Sequence, residues 1–316
     1  MGMEIITANN KELKALPSWE ELLERFSDYI ESPSHSVRTV ETYLRAVKQF
    51  IMFMNLNGIK NPTREDVKAF REELRASGHK PTTIQNYITA VKKFFGWTYQ
   101  EGFYPNIAEN LKGARLDREH KKEYLTSRQV KDVLSAIDRS TEEGLRNYAI
   151  LVLMVTCGLR TIEVSRADIG DIRNNADNRV LYVQGKGKEE KAEFVKLSDT
   201  TERAIREYLK VRGETRSEAP LFASTSNNNR GERMTTRSIS GIVKTSLKQV
   251  GLYESVYTAH SLRHTAVTLS LLAGRDLAEV QQFARHANIA TTMIYNHAID
   301  KAKNGCSEAI TKAIFG

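Results

Sequence analysis

The 316-residue sequence predicts a mainly α-helical protein of two domains, with a small β-hairpin or sheet confined to the second. Three observations carry that expectation. Apolar residues recur at helical spacing in four successive segments between residues 18 and 100, joined by short turns, as in a compact four-helix domain. A polar, charge-rich stretch, NIAENLKGARLDREHKKE, then breaks the pattern. Beyond it the helical spacing returns, interrupted by two short strand-like runs around GKGKEEK. The expected organisation is an arm over 1–17, a helical domain over 18–104, a linker over 105–123, a second domain over 124–300 and a tail helix within 301–316.

In the first domain Ser18 and Glu21 form a capping box, followed by Leu22, Phe26, Tyr29 and Ile30 on one face. A second helix over 36–57 turns Val40, Tyr43, Leu44, Val47, Phe50, Ile51 and Met54 inward. A third is opened by Pro62 and Thr63 and closed by Gly78. The fourth, over 81–100, buries Ile84, Tyr87, Ile88, Val91, Phe94, Phe95 and Trp97. Arg38, Arg45, Lys48, Lys92 and Lys93 fall on the polar faces. Lys80, Thr82 and Thr83 at the start of the fourth helix suit a phosphate contact.

The second domain starts at Thr126, with helices through Ile137 and from Glu142 to Thr156, where Gly158 stops the run. Strands are expected at 180–183 and 193–195, and helices over 200–211 and 238–250. Thr258 is an N-cap for a helix ending at Gly274, with Leu262, Ala266, Leu269 and Ala273 as its apolar stripe. Asp276 and Glu279 open a further helix that ends near His286. Tyr295 lies nine residues on, and an unbroken helix would put the two on opposite faces. A tight turn at 287–290 is therefore expected, with Thr291 and Thr292 capping a new short helix. Residues 307–315 form a last short helix with Ile310 and Ile314 on one side.

Composition bounds the function. There is no membrane-length apolar run and no signal peptide, so a cytoplasmic protein is expected. Cys157 and Cys306 make neither a disulfide framework nor a zinc pattern, and Cys157 reads as a reduced core thiol. The net charge of +8 is shared by both halves of the chain, as suits a protein gripping a polyanion from two sides.

The chemistry concentrates in Arg160, Lys186, His260, Arg263, His286 and Tyr295. Two arginines can hold non-bridging phosphate oxygens and oppose the charge that grows at a pentacoordinate phosphorus. A preorganised donor of this kind is worth about 3–4 kcal/mol, so two can replace a metal ion. Tyr295 can attack phosphorus, Lys186 on the hairpin can protonate the leaving alkoxide, and a histidine can take the phenol's proton. His260 and His264 have the spacing of helical metal ligands, but the cation of Arg263 between them repels a divalent metal. No metal or other cofactor is expected.

CGLRTIEV around Arg160, QGKGKEEKAEFVKL around Lys186, HSLRHT at 260–265 and RHANIATTMIYNH at 285–297 resemble the motifs of the tyrosine recombinase (phage integrase) family. SVRTVETYLRAVKQF and PTTIQNYITAVKKFFGW are similar to its helical SAM-like core-binding domain, so the resemblance spans roughly residues 18–300. It implies that Tyr295 becomes 3′-phosphotyrosyl-linked to DNA without metal or ATP. Arg160 and Arg263 would clamp the phosphate, Lys186 would act as general acid, His260 would transfer protons and His286 would hydrogen-bond the scissile phosphate. Lys188 and Lys191 are the alternatives to Lys186. Glu163 and His264 would support the arginines and their helix. Two positions depart from the family pattern. Ser261 stands where Asp is usual, and Arg285 stands where Gly is usual, with consequences for the local turn or an added phosphate contact.

The resemblance further implies a site-specific recombinase, nucleoid-associated, that is a monomer when free and a homotetramer on two DNA duplexes. Its tail would dock on a neighbouring copy. The short arm argues against a separate arm-binding domain and for an Xer-like or mobile-element enzyme. A type IB topoisomerase and a DNA-binding regulator without chemistry are the rival readings.

Overall fold

The computed structural model describes residues 17–31, 37–114, 123–185, 187–302 and 306–315, the side chains of 296–302, 307 and 308 excepted. The chain forms two compact units, Met1–Arg118 and Glu119–Gly316.

The first unit contains α1 (Trp19–Ile30), α2 (Val37–Leu56), α3 (Arg64–Ala76) and α4 (Pro81–Gln100). Ser18 caps α1 as expected, its hydroxyl accepting from Glu21 N–H while Glu21 accepts from Ser18 N–H at 2.8 Å. The helices close over an aromatic core in which Phe26 meets Phe94 and Phe50 meets Phe70, each edge-on at 5.2 Å. Tyr29, expected to point inward, is 47% exposed and covers the rim of Phe26 instead. The chain after α4 also joins this core. Phe103, Tyr104, Ala108 and Leu111 are buried, Tyr104 donates to Pro62 O at 2.9 Å, and Arg71 holds Lys112 O at 2.8 Å. The early part of the stretch expected to be linker is thus packed chain.

The second unit runs α5 (Ser127–Ser135), α6 (Glu142–Cys157), α7 (Thr161–Arg166), a 3-10 turn (Ile169–Asp171), β1 (Ile172–Asn175), β2 (Asn178–Val183) and β3 (Glu193–Lys196). It continues with α8 (Asp199–Arg212), α9 (Thr236–Gln249), α10 (Ala259–Leu272), α11 (Leu277–Ala284), α12 (Ile289–Ala302) and α13 (Cys306–Phe315). Residues 149–154 of α6 are buried without a gap, so this helix is the centre of the unit rather than one of its faces. Cys157 at its end is buried, which pushes its thiol up to about 11.

The sheet has three antiparallel strands in the order β1-β2-β3, with Leu181 opposite both Ile172 and Val195. Only β2 and β3 were legible from alternation, because β1 (IRNN) carries a single apolar residue. α12 is longer than expected, and Thr291 and Thr292 lie inside it rather than capping it. On α10 the outer half of the expected stripe, Leu269 and Ala273, is not buried, whereas His264 and Thr265 are. Among the described residues no helix is long and apolar enough to cross a membrane.

Candidate active site

The site begins at a helix end. α6 stops at Gly158, whose φ of 59° supplies the left-handed turn, and Arg160 then becomes the N-cap of α7. The backbone N–H of Arg160 donates to Glu163 Oε2 (2.7 Å) and its guanidinium to Glu163 Oε1 (2.8 Å). Glu163 is fully buried. Burial opposes its ionisation, but Arg285, the N–H of Arg160 and the Arg160 guanidinium outweigh it and hold the carboxyl below its usual range. Arg160 itself keeps 31% of its side chain exposed.

Arg263, on the second turn of α10, is 1% exposed. One terminal nitrogen donates to Gly158 O (2.5 Å) and the other to Ala284 O. These carbonyls close α6 and α11, so the cation sits where two helix dipoles present their negative ends. Burial, and next the charge of Arg160, bring its pKa down to about 9, which leaves it charged at neutral pH.

α11 ends at Arg285 in the left-handed region (φ 52°), and the chain turns back through His286 into α12. The Arg285 side chain is turned inward onto protein partners rather than presented as an added phosphate ligand. It is 5% exposed and donates to Glu163 Oε2 (3.0 Å) and Phe283 O (2.8 Å). His286 Nδ1 lies 2.9 Å from the Thr292 hydroxyl, and Thr292 is fully buried. Burial first, then Arg263, Arg160, Arg285 and His260, press the His286 imidazole down to about 4, so it is neutral at physiological pH.

The turn after His286 returns Tyr295 to the histidine, as the expected turn at 287–290 allows. Their rings stack at 6.1 Å, and Tyr295 also meets the His264 ring at 4.4 Å. Tyr295 is 5% exposed against Val267, Val280 and Ala284. Burial raises its phenol, with Arg263 and Arg160 pulling the other way. His260, exposed, sits edge-on to His264 at 5.8 Å.

Arg160, His260, Arg263, His286 and Tyr295 therefore gather in one site, although Arg160 and Tyr295 are far apart in sequence. Lys186 lies outside the described residues. Its neighbours Gly185 and Lys188 line a cleft of about 830 Å³ with Arg160, Arg285 and His286. Lys191, one alternative to Lys186, is instead locked between Asp168 (2.6 Å) and Asp171 (2.5 Å). His264 packs its ring against that of Tyr295. Thr292 was missed because a Thr-Thr pair before a helical run reads as a cap.

Arg38, Arg45, Lys48, Lys80, Thr82 and Lys93 are exposed on the first unit, while Thr83 and Lys92 are half-buried. Arg38, Arg45 and Lys48 share the face of α2 opposite Val47 and Phe50. Pro81 opens α4 directly after Lys80.

A tyrosine packed beside two fixed guanidiniums, on a helical unit with a small antiparallel sheet, defines the class: the chain belongs to the phage integrase family of tyrosine recombinases. The model of the phage integrase family matches residues 123–302, and that of the phage integrase N-terminal SAM-like domain matches residues 22–103. Tyrosine recombinase XerC of Herpetosiphon aurantiacus is 31% identical over 88% of this chain and 90% of its own. Tyrosine recombinase XerA of Pyrococcus horikoshii is 31% identical over 93% of both. The similarity to XerC of Caldanaerobacter subterraneus, 34% identical, covers 62% of this chain and about half (52%) of that protein. Among solved structures, XerH recombinase in a post-cleavage complex with palindromic difH superposes with a TM-score of 0.74, at 22% identity over 93% of this chain and 84% of that one. A lambda integrase tetramer on a Holliday junction gives 0.69, at 16% identity over 87% and 76%. These two share the fold.

Proposed function

We propose that the protein is a site-specific DNA recombinase that cleaves and rejoins strands through Tyr295. The observation that carries this is the packing of the Tyr295 ring against His264 (4.4 Å) and His286 (6.1 Å), in the site that also holds Arg160 and Arg263. Arg263, pinned by two backbone carbonyls, retains donors for a phosphate oxygen, since a guanidinium has five N–H groups. Arg160, partly exposed, supplies the second guanidinium from the cleft side.

In the first step the Tyr295 oxygen bonds to phosphorus and the 5′ oxygen leaves. The phenol's proton passes to a base, the exposed imidazole of His260. Lys186, next to cleft-lining Gly185, returns a proton to the 5′ oxygen. His286, neutral, hydrogen-bonds the phosphate without adding charge. One phosphodiester becomes one phosphotyrosyl ester, so a 5′ hydroxyl from another duplex rejoins the strand with no ATP. The complete set of reacting groups speaks against a regulator without chemistry. The separate helical unit carrying Arg38, Arg45, Lys48, Lys80, Thr82, Thr83, Lys92 and Lys93 suits a duplex gripped along its backbone, and nucleoid association is part of the same proposal.

The working form is a homotetramer on two duplexes. On α13, Ile310, Ile314 and Phe315 are 57%, 65% and 82% exposed, as suits a helix that docks on a neighbouring copy.

The test starts from a pool of randomised duplexes, captured as SDS-resistant protein–DNA adducts and sequenced to find the target. Wild type should form adducts with the selected duplex and Tyr295→Phe none. Adducts from both proteins remove Tyr295 as nucleophile. Two labelled sites that exchange strands separate recombination from topoisomerase-like relaxation.

A further inference from the structure

Arg285 is costly where it stands. Its φ of 52° is one that glycine adopts freely and an L side chain resists. Its side chain is 5% exposed, and its Nε is buried with no hydrogen-bond partner among the described residues. A residue kept against both penalties does something that glycine cannot.

What it touches shows what that is. Glu163 offers two oxygens to two guanidiniums. Oε1 accepts from Arg160 at 2.8 Å, while Oε2 accepts from Arg285 at 3.0 Å and from the Arg160 backbone N–H. The carbonyl of Arg285 lies 3.4 Å from the other terminal nitrogen of Arg160. The carboxylate is thus divided. Arg160 cannot close on both oxygens in the bidentate pairing that arginine and carboxylate favour, because Arg285 holds one of them.

We propose that Arg285 is a positioning residue for strand cleavage: by taking half of Glu163 it keeps the Arg160 guanidinium turned toward the cleft, where the scissile phosphate binds. With glycine at 285 the Glu163 Oε2 loses its guanidinium and keeps only the Arg160 backbone N–H, so the Arg160 guanidinium swings onto it as well, and one of the two phosphate clamps is drawn back into the protein. Arg285 acts through Arg160 and touches no substrate. It also keeps a third positive charge beside His286, which helps to hold that ring neutral.

Resting as it does on the clamp role of Arg160 proposed above, this role of Arg285 is tested together with Arg160→Ala. The measurement is the rate of Tyr295 adduct formation on a nicked duplex of the selected sequence, at saturating DNA, with apparent affinity recorded separately. Arg285→Gly should slow the adduct step at least tenfold while affinity changes less than threefold. Arg285→Lys, which keeps a cation on Oε2, should recover most of the rate. In a Glu163→Gln background, where no carboxylate is left to divide, adding Arg285→Gly should cost less than threefold. If Arg285→Gly does not fold, Arg285→Gln, which keeps a polar side chain without the charge, takes its place with the same expected loss. Adduct formation within threefold of wild type, or an equal loss in both backgrounds, overturns the inference alone. An Arg160→Ala protein that cleaves at the wild-type rate overturns the clamp reading and this inference with it.

Discussion

At the scale of the residue, the site is governed by crowded positive charge. Arg263 tolerates burial because the ends of α6 and α11 give it backbone oxygens at fixed positions. A lysine cannot span two carbonyls and still offer a planar fork to phosphate. Arg263→Lys should therefore lower adduct formation by about 10²–10³, the scale for losing one preorganised donor, and single-turnover cleavage measures it. The same charge sets a pH response. His286 folds with its imidazole near 4 against 6.5 when unfolded, so between those values the unfolded chain binds a proton that the native site refuses. Glu163 folds with its carboxyl lowered, so its contribution is present above the unfolded carboxylate value and is lost as pH falls through the folded one. Both signs agree. Thermal midpoints should fall steadily from pH 7 to pH 4, and His286→Asn should flatten the upper part of that fall. A nuclear magnetic resonance titration that placed His286 near 6.5 would contradict the neutral, phosphate-facing role.

At the scale of the element, one glycine joins three helices. Gly158 ends α6 in a left-handed turn, lends its carbonyl to Arg263, and packs so that an added Cβ would come within 3.2 Å of the Phe283 ring on α11. Gly158→Ala should cost about 1–2 kcal/mol from backbone strain alone, a fall of about 2–8 °C in melting temperature for a unit of this size. Cleavage should fall further than stability, because the displaced carbonyl is the one that anchors Arg263. A protein with the wild-type melting curve would show that the turn is tolerant.

Elements of this kind also mark what the sequence could and could not reveal. Helical spacing announced α1 to α4 and α10, and the nine-residue gap from His286 to Tyr295 required a turn between them. β1 and the six-residue α7 are too short or too polar to show a period. Arg160, Arg263 and Tyr295 stood out through their motifs. The partners of Arg285 and Thr292 did not, since tertiary contacts between distant segments leave no local signature. Nor did alternation separate Lys191, bound by two aspartates, from the other lysines of the hairpin.

At the scale of the whole molecule, the proposed function divides labour between the two units. Every described residue assigned a part in the chemistry lies in Glu119–Gly316, whereas the cations of α2 and α4 lie in Met1–Arg118. A fragment of residues 123–316 should still form Tyr295 adducts, with weaker binding and a shallower fall of affinity with salt than the full chain. Paired salt titrations of the two proteins check this, and equal slopes would remove the first unit from the backbone-gripping role.

The tyrosine's niche has a consequence for the resting protein. In contact with the rings of His264 and His286 and nearly shut off from water, Tyr295 is screened from nitrating and iodinating reagents as much as from stray phosphodiesters. Tetranitromethane should mark exposed tyrosines such as Tyr29, Tyr99, Tyr124 and Tyr253 well before it, and a rise in its labelling on addition of target duplex would time the moment at which the weapon is drawn.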